Sequence, residues 1–198
     1  MITIAWDIDD VLNNLMSAWF HTAWLPTHPD CTVKYGDLTE NPPDRILGIS
    51  QQEYLESLDA FRLSETARRM APTPEILDWF RSQGHQFRHI ALTARPLETT
   101  PALSEWLFRH FGSFVRLFAV VPTRWIDGEP VYDRTKAEFL AWFGLADLLV
   151  DDTPANIESV QHLGIEGILY PQPWNSSKLT VAETLQSLMN AAAVRSVA

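Results

Sequence analysis

The chain opens with the stretch Ile2-Thr3-Ile4-Ala5-Trp6-Asp7-Ile8-Asp9-Asp10, in which an apolar run leads directly into a group of aspartates. Four more short, mostly apolar runs end at polar residues or at proline: Phe87–Leu92, Leu117–Val121, Leu148–Val150 and Gly167–Tyr170. Runs of this length with such boundaries are typical of buried strands in a parallel sheet. The sequence therefore predicts five strands, the first of which ends at about Asp7.

Helical patterns lie between these runs. Three of them begin at a threonine–proline pair and end before a glycine: Thr73-Pro74 to Gly84, Thr100-Pro101 to Gly112, and Thr153-Pro154 to Gly164. Such pairs are typical helix starts and such glycines typical helix ends. Asp133 is expected to cap another helix that runs through Phe143. The alternation predicts an α/β fold, a Rossmann-like three-layer parallel sheet with right-handed crossovers.

One connection is too long for a single crossover helix. About eighty residues separate the first predicted strand from the second, where a crossover needs far fewer. They include a helical apolar stripe from Leu12 to Trp24 and a capping signal, Ser50 with Glu53, for a helix through about Phe61. We expect residues 13–71 to form a small helical cap, and residues 1–12 and 72–198 to form the α/β core. Because the insertion leaves the first strand at its carboxyl end, it is placed to act as a lid over a ligand.

Composition excludes several classes of protein. Of 198 residues, 46% are hydrophobic and 20% charged, which excludes a disordered chain, and the formal net charge of −10 disfavours binding to nucleic-acid polymers or anionic membranes. No apolar run reaches the length of about 18 residues that a membrane span needs. The N-terminus does not resemble a signal peptide, and the single cysteine, Cys31, suits a reducing compartment. These features predict a cytoplasmic protein.

Polar side chains stand at the predicted strand ends: Asp7, Asp9 and Asp10 after the first strand, Thr93 after the second, and Asp151 and Asp152 after the fourth, with Lys136 in the helix before the fourth. In a parallel sheet these ends share one edge, so the carboxylates converge and repel one another. A hard divalent cation relieves that repulsion, and an oxygen-only site suits Mg²⁺. Each residue alone could be a turn residue, a helix cap or a solvated side chain; the combination indicates a site for an anionic substrate.

The order of these residues resembles a known superfamily. Asp7-Ile8-Asp9-Asp10-Val11, Leu92-Thr93-Ala94-Arg95, Lys136 and Leu149-Val150-Asp151-Asp152 are similar to the four ordered motifs of the haloacid dehalogenase-like (HAD) phosphatases. The Thr-Ala pair, the Asp-Asp pair and the turn Pro171-Gln172-Pro173-Trp174-Asn175 resemble the 5'(3')-deoxyribonucleotidase-like group within it. One position departs from the pattern, since Asp10 stands where glycine is common. This extra acid could tighten metal binding or disfavour a dianionic substrate.

The resemblance implies a Mg²⁺-dependent phosphomonoesterase that works through an aspartyl-phosphate intermediate. Asp7 is then the nucleophile, and Asp9 protonates the leaving group and later activates water. The metal ligands implied are Asp7, the backbone carbonyl of Asp9, Asp151 and Asp152.

Thr93, the amide of Ala94, and Lys136 are implied to hold the phosphoryl oxygens, with Thr93 and Lys136 counted among the catalytic residues. The implied substrate is a small phosphorylated metabolite, a nucleotide before others. The sequence also allows a homodimer formed through exposed aromatic residues of the cap.

Alternatives follow from the same residues. The enzyme could act on sugar phosphates or other metabolites, or the chain could be a catalytically idle phosphate-binding or regulatory protein on the same fold. A signalling receiver domain is disfavoured because Asp7 comes first in the chain and the aspartate pair last. Five aromatic residues of the insertion either stack on a nucleobase or form the core of the cap: Trp19, Phe20, Trp24, Tyr54 and Phe61.

Overall fold

The computed structural model describes residues 1–124, 128 and 130–196. Its single sheet is built from five strands: β1 (Thr3–Asp7), β2 (Arg88–Thr93), β3 (Val115–Val120), β4 (Leu148–Asp151) and β5 (Glu166–Leu169). All neighbouring pairs are parallel, in the order β3-β2-β1-β4-β5. The predicted α/β fold and its five strands are confirmed, with strand ends shifted by one or two residues. Residues 125–127, 129, 197 and 198 of the predicted core lie outside the described residues.

The segment between β1 and β2 begins with a set of short helices. These are α1 (Leu15–Trp19), a π-helical turn (Phe20–Trp24), α2 (Leu25–Thr27), α3 (Asp44–Leu47), α4 (Gln51–Leu63) and α5 (Glu65–Arg68). They share an apolar cluster of their own that contains all five aromatic residues singled out in the sequence. Those side chains are buried, so they form the core of this segment. Where the segment leaves and rejoins the sheet, Asn13 and Pro72 form an isolated β-bridge.

Helices cover both faces of the sheet, which gives the three layers. On one face the side chains of β1 pack against α6 (Pro74–Ser82), α7 (Thr100–Phe111) and a C-terminal helix, α10 (Val181–Arg195). On the other face they pack against α8 (Lys136–Phe143) and α9 (Pro154–Val160). Alternation along β1 supplies both cores, because Trp6 points to the first and Ala5 to the second. Within the described residues no helix has the length and apolar character needed to cross a bilayer.

The strand order places a topological switch beside the central strand. The chain builds β1, β2 and β3 outward in one direction and then returns to add β4 on the other side of β1. In open α/β sheets the crevice at such a switch, at the carboxyl ends of the strands, is where ligands bind. Asp7 and Asp151 are the last residues of the two strands that flank it.

Hydrogen bonds of the helix caps account for two helix starts. Ser50 accepts a hydrogen bond from the backbone of Glu53 at 3.1 Å, so α4 begins where its capping signal predicts. The predicted cap of α8, Asp133, is wrong: Thr135 stands directly before the first helical residue and accepts from the backbone of Glu138 at 3.1 Å. A cap must directly precede the helix, and Thr135 with Glu138 has the spacing of a capping box.

Gly167 on β5 gives a prediction about packing. A Cβ at this position would lie 2.5 Å from Cγ2 of Ile157 on α9 and 3.2 Å from its carbonyl oxygen. We expect Gly167→Ala to lower the free energy of unfolding by about 1–3 kcal/mol, because the strand and helix must move apart. Urea unfolding measures the effect, with Gly36→Ala as control, since a Cβ at Gly36 meets nothing within 4 Å. Equal effects in the two variants would contradict the packing argument.

Candidate active site

Three carboxylates meet at the switch point. Asp7 ends β1, Asp151 ends β4, and Asp152 follows it, so the pairing of β1 with β4 brings the three side chains together. Oxygen atoms of all three lie within 4.8 Å of one another. All three residues are buried. Carboxylates so close in a buried site repel strongly unless positive charge lies among them.

Lys136 supplies part of that charge. As the first residue of α8 it reaches across the sheet edge, and its Nζ lies 2.8 Å from Oδ1 of Asp7 and 2.7 Å from Oδ2 of Asp151. Burial alone would lower the pKa of Lys136, but the two aspartates outweigh it and raise the pKa above its ordinary value. The ammonium group is therefore charged and stands between the two carboxylates.

The two oxygens of Asp7 have different surroundings. Oδ1 accepts hydrogen bonds from the backbone of Ile8 at 2.8 Å and contacts Lys136, whereas no described residue donates a hydrogen bond to Oδ2. Burial, with the charges of Asp151 and Asp152, raises the pKa of Asp7 well above its usual value, although Lys136 opposes the shift. Asp7 also lines the cleft at this edge of the sheet. Only Oδ1 of Asp7 is therefore engaged by the described donors.

Asp151 and Asp152 also differ. Asp151 is completely buried, and besides Lys136 it accepts hydrogen bonds from the backbone of Thr153 at 2.9 Å and from the side-chain amide of Asn156 at 3.1 Å. Asp152 accepts from the indole of Trp174 at 2.6 Å through Oδ2, and it lines the cleft. Asp152, rather than Asp151, therefore presents its carboxylate to the cleft.

The raised pKa of Asp152 predicts how stability depends on pH. Burial first, and then the charges of Asp151 and Asp10, raise the pKa of Asp152 from 3.8 to about 7. Without Mg²⁺, the free energy of unfolding should fall as pH rises from about 4 to about 7, because native Asp152 keeps a proton that the unfolded chain has already lost. Urea unfolding in EDTA at about pH 5 and about pH 8 measures the fall. Asp152→Asn should reduce it; an equal fall in both proteins would contradict the assignment.

The carboxyl group of Asp9 lies apart from this cluster. Arg95 binds it through two hydrogen bonds, from Nε to Oδ2 and from an Nη atom to Oδ1, both at 2.6 Å, and Asn13 donates to Oδ1 at 3.1 Å. Burial alone would raise the pKa of Asp9, but Arg95 and Arg62 outweigh it and lower the pKa. The structure therefore separates the Asp9 side chain from the three carboxylates that the sequence grouped with it.

Asp10 has a structural role in this arrangement. Its backbone is left-handed (φ 61°, ψ 15°), a conformation that glycine adopts at little cost. The Asp10 carboxylate accepts a hydrogen bond from the backbone of Met16 at 2.9 Å, and Gln172 donates to its carbonyl oxygen at 2.6 Å. Its side chain thus binds the first turn of α1, and it is not among the three clustered carboxylates.

Of the three residues predicted to bind the phosphoryl group, one lines the cleft and two are buried beneath its surface. Ala94 lines the cleft, whereas Thr93 is buried at the end of β2, where its hydroxyl accepts from the backbone of Arg95 at 3.3 Å. Lys136 lies behind Asp7 and is also buried. Of these three residues, only Ala94, which follows β2, lines the cleft directly.

The cleft itself has a volume of about 240 Å³ and lies between the sheet edge and the insertion. The sheet edge supplies Asp7, Asp9, Asp10, Ala94, Arg95, Thr123, Arg124, Asp152 and Thr153, and the insertion supplies Leu15, Met16, Asn41, Pro42, Gln51, Tyr54, Leu55, Leu58 and Arg62. The lining contains four aspartates and three arginines, and Asp9 is paired with Arg95 within it. The insertion therefore contributes a wall of the cleft.

Three residues of the site, Asn156, Arg62 and Arg124, were not singled out in the sequence, and Trp174 was noted only as part of the turn after the last strand. Asn156 and Trp174 hold the two aspartates after β4, but they come from α9 and from the turn after β5. Arg62 and Arg124 line the cleft from α4 and from the segment after β3. The one available hint was that Asn156 lies one helical turn beyond Asp152, on the helix that starts at the sheet edge.

Comparisons with known proteins agree on the fold. No family model and no curated protein matches the sequence. Among solved structures, a hydrolase from Streptococcus pneumoniae TIGR4 has 12% identity and a TM-score of 0.62 over 94% of this chain and 97% of that one. A haloacid dehalogenase-like hydrolase from Streptococcus pneumoniae has 13% identity and a TM-score of 0.62 over 96% and 98% of the two chains.

A third similar structure is that of YfnB from Bacillus subtilis, described as a HAD-hydrolase bound to magnesium. It has 13% identity and a TM-score of 0.56 over 96% of this chain and 98% of that one. At such identities the likeness concerns the fold. This chain therefore has the fold of the haloacid dehalogenase-like hydrolases, with its acidic cluster at the carboxyl ends of the central strands.

Proposed function

We propose that this protein is a Mg²⁺-dependent phosphomonoesterase that forms an aspartyl-phosphate at Asp7. The observation that carries the proposal is the environment of Asp7 at the switch point of a HAD-type fold. One of its oxygens is bound by Lys136 and a backbone amide, and the other accepts no hydrogen bond from the described residues and belongs to a residue lining the cleft. Carboxylates form covalent phosphoryl intermediates when held in this way.

The clustered carboxylates fit Mg²⁺. Asp7 and Asp152 offer hard oxygen donors toward the cleft, and burial with mutual repulsion raises the pKa of both. Asp151 would support the site from behind, and the backbone carbonyl of Asp9 would complete the ligands that the sequence suggests. When bound, Mg²⁺ would neutralise charge on the phosphoryl oxygens.

The chain's own residues then account for both halves of the reaction. Oδ2 of Asp7 attacks phosphorus, the bond to the ester oxygen breaks, and the leaving alkoxide takes a proton from Asp9. Asp9 next removes a proton from water as that water attacks the phosphoryl-Asp7, which releases inorganic phosphate and restores the carboxylate. The amide of Ala94, which lines the cleft, would contact the phosphoryl oxygens, and the buried Lys136 and Thr93 would stabilise the charge that spreads over those oxygens from behind Asp7 and the end of β2.

The acid step requires Asp9 to change partners. Its pKa is lowered while Arg95 holds it, so in this arrangement it is ionised and has no proton to donate. We propose that Asp9 leaves Arg95 when a substrate is bound, since hydrogen bonds of catalytic groups in a free enzyme often differ from those in the complex.

We further propose that residues 13–71 act as a cap over a core formed by residues 1–12 and 72–198. A nucleoside monophosphate is the substrate that the sequence resemblance suggests. The five cap aromatics form the core of the segment, and Tyr54 is the one among them that also lines the cleft, so a base would meet Tyr54 before the others. Sugar phosphates and other phosphorylated metabolites are the second candidates, favoured by the small volume of the cleft.

A phosphate-release assay of the purified protein tests this function. The substrates are nucleoside 5'- and 3'-monophosphates, sugar phosphates and other phosphorylated metabolites, each with Mg²⁺ and with EDTA. We expect EDTA-sensitive release from one of these groups, which identifies the substrate class. If the protein is folded and binds Mg²⁺ but hydrolyses none of these substrates, the proposed enzymatic function is contradicted. That result would favour an idle phosphate-binding protein.

A further inference from the structure

The turn that follows β5 lies between the acidic cluster and the insertion. It consists of Pro171-Gln172-Pro173-Trp174-Asn175, and all five of its residues are half-buried. Its side chains form hydrogen bonds with Asp10 after β1, with Asp152 after β4 and with Tyr35 of the insertion. A single short turn thus joins three parts of the chain that meet at the cleft.

Trp174 of this turn engages one of the two carboxylate oxygens of Asp152. Its indole nitrogen donates to Oδ2 at 2.6 Å, which is short for an N–H···O hydrogen bond. The other oxygen, Oδ1, lies 3.5 Å from the hydroxyl of Thr153, which is beyond the usual length of such a bond. Among the described donors, Oδ2 is therefore firmly held and Oδ1 is not.

Asn175 holds the backbone of Asp152 separately from its side chain. The side-chain amide of Asn175 donates to the carbonyl oxygens of Asp152 and Tyr170, both at 2.8 Å. The main chain after β4 is thus tied to the turn after β5. Because this contact already places the backbone, the bond from Trp174 acts on the direction in which the Asp152 carboxylate points.

The insertion in turn holds Trp174. The indole packs against the apolar cluster of the insertion, and its ring meets that of Tyr35 edge to face, with 6.3 Å between the ring centres. Such aromatic pairs are stabilising. The hydroxyl of Tyr35 also donates to the side chain of Gln172 at 3.2 Å, and Gln172 donates to the carbonyl oxygen of Asp10 at 2.6 Å. The position of the indole therefore depends on the insertion as well as on the turn.

We infer that Trp174 is a positioning residue for Mg²⁺: by holding Oδ2 of Asp152 it directs Oδ1 toward the ion, and Tyr35 of the insertion keeps the indole in place. The inference rests on the Mg²⁺ site of the proposed phosphomonoesterase. Groups that bond to a metal ligand fix its orientation, and their loss typically weakens metal binding by about 10–100-fold. Metal affinity thus depends on the packing of a segment that supplies none of the clustered carboxylates.

A purely structural role for Trp174 predicts a different result. If only the packing of its ring mattered, a phenylalanine in its place would leave Mg²⁺ binding unchanged. Trp174→Phe keeps an aromatic ring against Tyr35 but removes the N–H group that bonds to Asp152. This substitution therefore separates orientation of the carboxylate from packing of the turn.

Isothermal titration calorimetry with MgCl₂ measures the Kd of Mg²⁺ in the absence of any substrate. We expect Trp174→Phe to raise this Kd by about 10–100-fold, because the carboxylate of Asp152 is then free to turn away from the ion. Trp142→Phe changes an indole that is 77% exposed on α8, and it should leave the Kd unchanged. Thermal unfolding in EDTA confirms that each variant is folded.

A double-mutant cycle tests the part played by the insertion. Tyr35→Leu removes the ring that meets Trp174 and the hydroxyl that binds Gln172, and it should raise the Kd of Mg²⁺ by a smaller factor than Trp174→Phe does. In the Trp174→Phe background it should have little further effect, because the bond through which it acts is already absent. Tyr132→Leu, at an exposed tyrosine, is the matched control. Tyr35→Leu alone keeps the inference testable if Trp174→Phe does not fold.

The outcomes separate this inference from the proposed function. If the wild type binds Mg²⁺ and Trp174→Phe binds it as tightly or more tightly, the inference is wrong and the phosphomonoesterase proposal stands. If Tyr35→Leu leaves the Kd unchanged, or raises it equally in both backgrounds, the insertion does not act through Trp174. If the folded wild-type protein binds no Mg²⁺, the proposed Mg²⁺-dependent function fails and the inference fails with it.

Discussion

Asp7→Asn is expected to lower kcat by about 10⁴-fold or more, the scale seen when a catalytic nucleophile is removed. The amide keeps the size of the side chain but lacks the negative oxygen that attacks phosphorus. Lys136 still has Asp151 as a partner at 2.7 Å, so the variant should fold. Removal of one of three repelling carboxylates also offsets the lost contact with Lys136. The measurement is Mg²⁺-dependent phosphate release under saturating substrate.

Controls separate chemistry from folding in this experiment. Asp78→Asn changes an exposed aspartate on α6 in the same way and should leave kcat unchanged. The Tm of Asp7→Asn should lie within about 4 °C of the wild type, which corresponds to about 1 kcal/mol for a chain of this size. Acid-quenched wild-type protein should carry phosphate on an aspartate, and the variant should not. Near-normal turnover by Asp7→Asn would contradict the nucleophile assignment.

The sheet and the acidic cluster could be predicted because their signals are local. Each strand is a short apolar run, and the parallel sheet then forces the residues that end those runs to one edge. Asp7 and the pair Asp151 and Asp152 follow directly from this rule. Helix caps are also local, and Asp133 was a wrong choice because the better cap, Thr135, lay two residues further on.

Pairing of charges within the site could not be predicted in the same way. The end of the first strand predicts where the backbone of Asp9 lies. It does not predict that the Asp9 side chain bonds to Arg95, which is 86 residues away in the chain. Asp10 likewise turns toward the backbone of Met16. Side-chain direction after a strand depends on the conformation of the turn and on donors from other elements. Neither is encoded in the spacing of the acids.

The positions of the arginines in the cleft were even harder to predict from the sequence than the pairing of Asp9. Arg62 lies on a helix of the insertion, and its position over the sheet edge depends on how the insertion packs. Its sequence neighbours give only an ion pair with Asp59, which is typical of an exposed helix face. Contributions from an inserted segment to a cleft at the sheet edge need the tertiary structure.

Lys136→Met is expected to impair both activity and stability. The ammonium group stabilises charge on the phosphoryl oxygens in the proposed mechanism, so its loss should lower kcat by about 10²–10³-fold, as for removal of one preorganised donor. Without Mg²⁺, Asp7 and Asp151 lose their shared cation in a buried site. Breaking a buried ion pair by removing one partner costs about 3–5 kcal/mol of unfolding free energy. Urea unfolding in EDTA and phosphate release with Mg²⁺ measure the two effects.

The metal dependence of that stability loss distinguishes Lys136 from an ordinary buried lysine. Mg²⁺ should recover more unfolding free energy in Lys136→Met than in the wild type, because the cation then offsets carboxylates that no ammonium neutralises. Lys178→Met, at an exposed position, should change neither quantity. In an Asp7→Asn background the cost of Lys136→Met should be smaller, since one of its two partners is already uncharged. Equal costs in both backgrounds, with no extra recovery by Mg²⁺, would mean that Lys136 does not act on the carboxylate cluster.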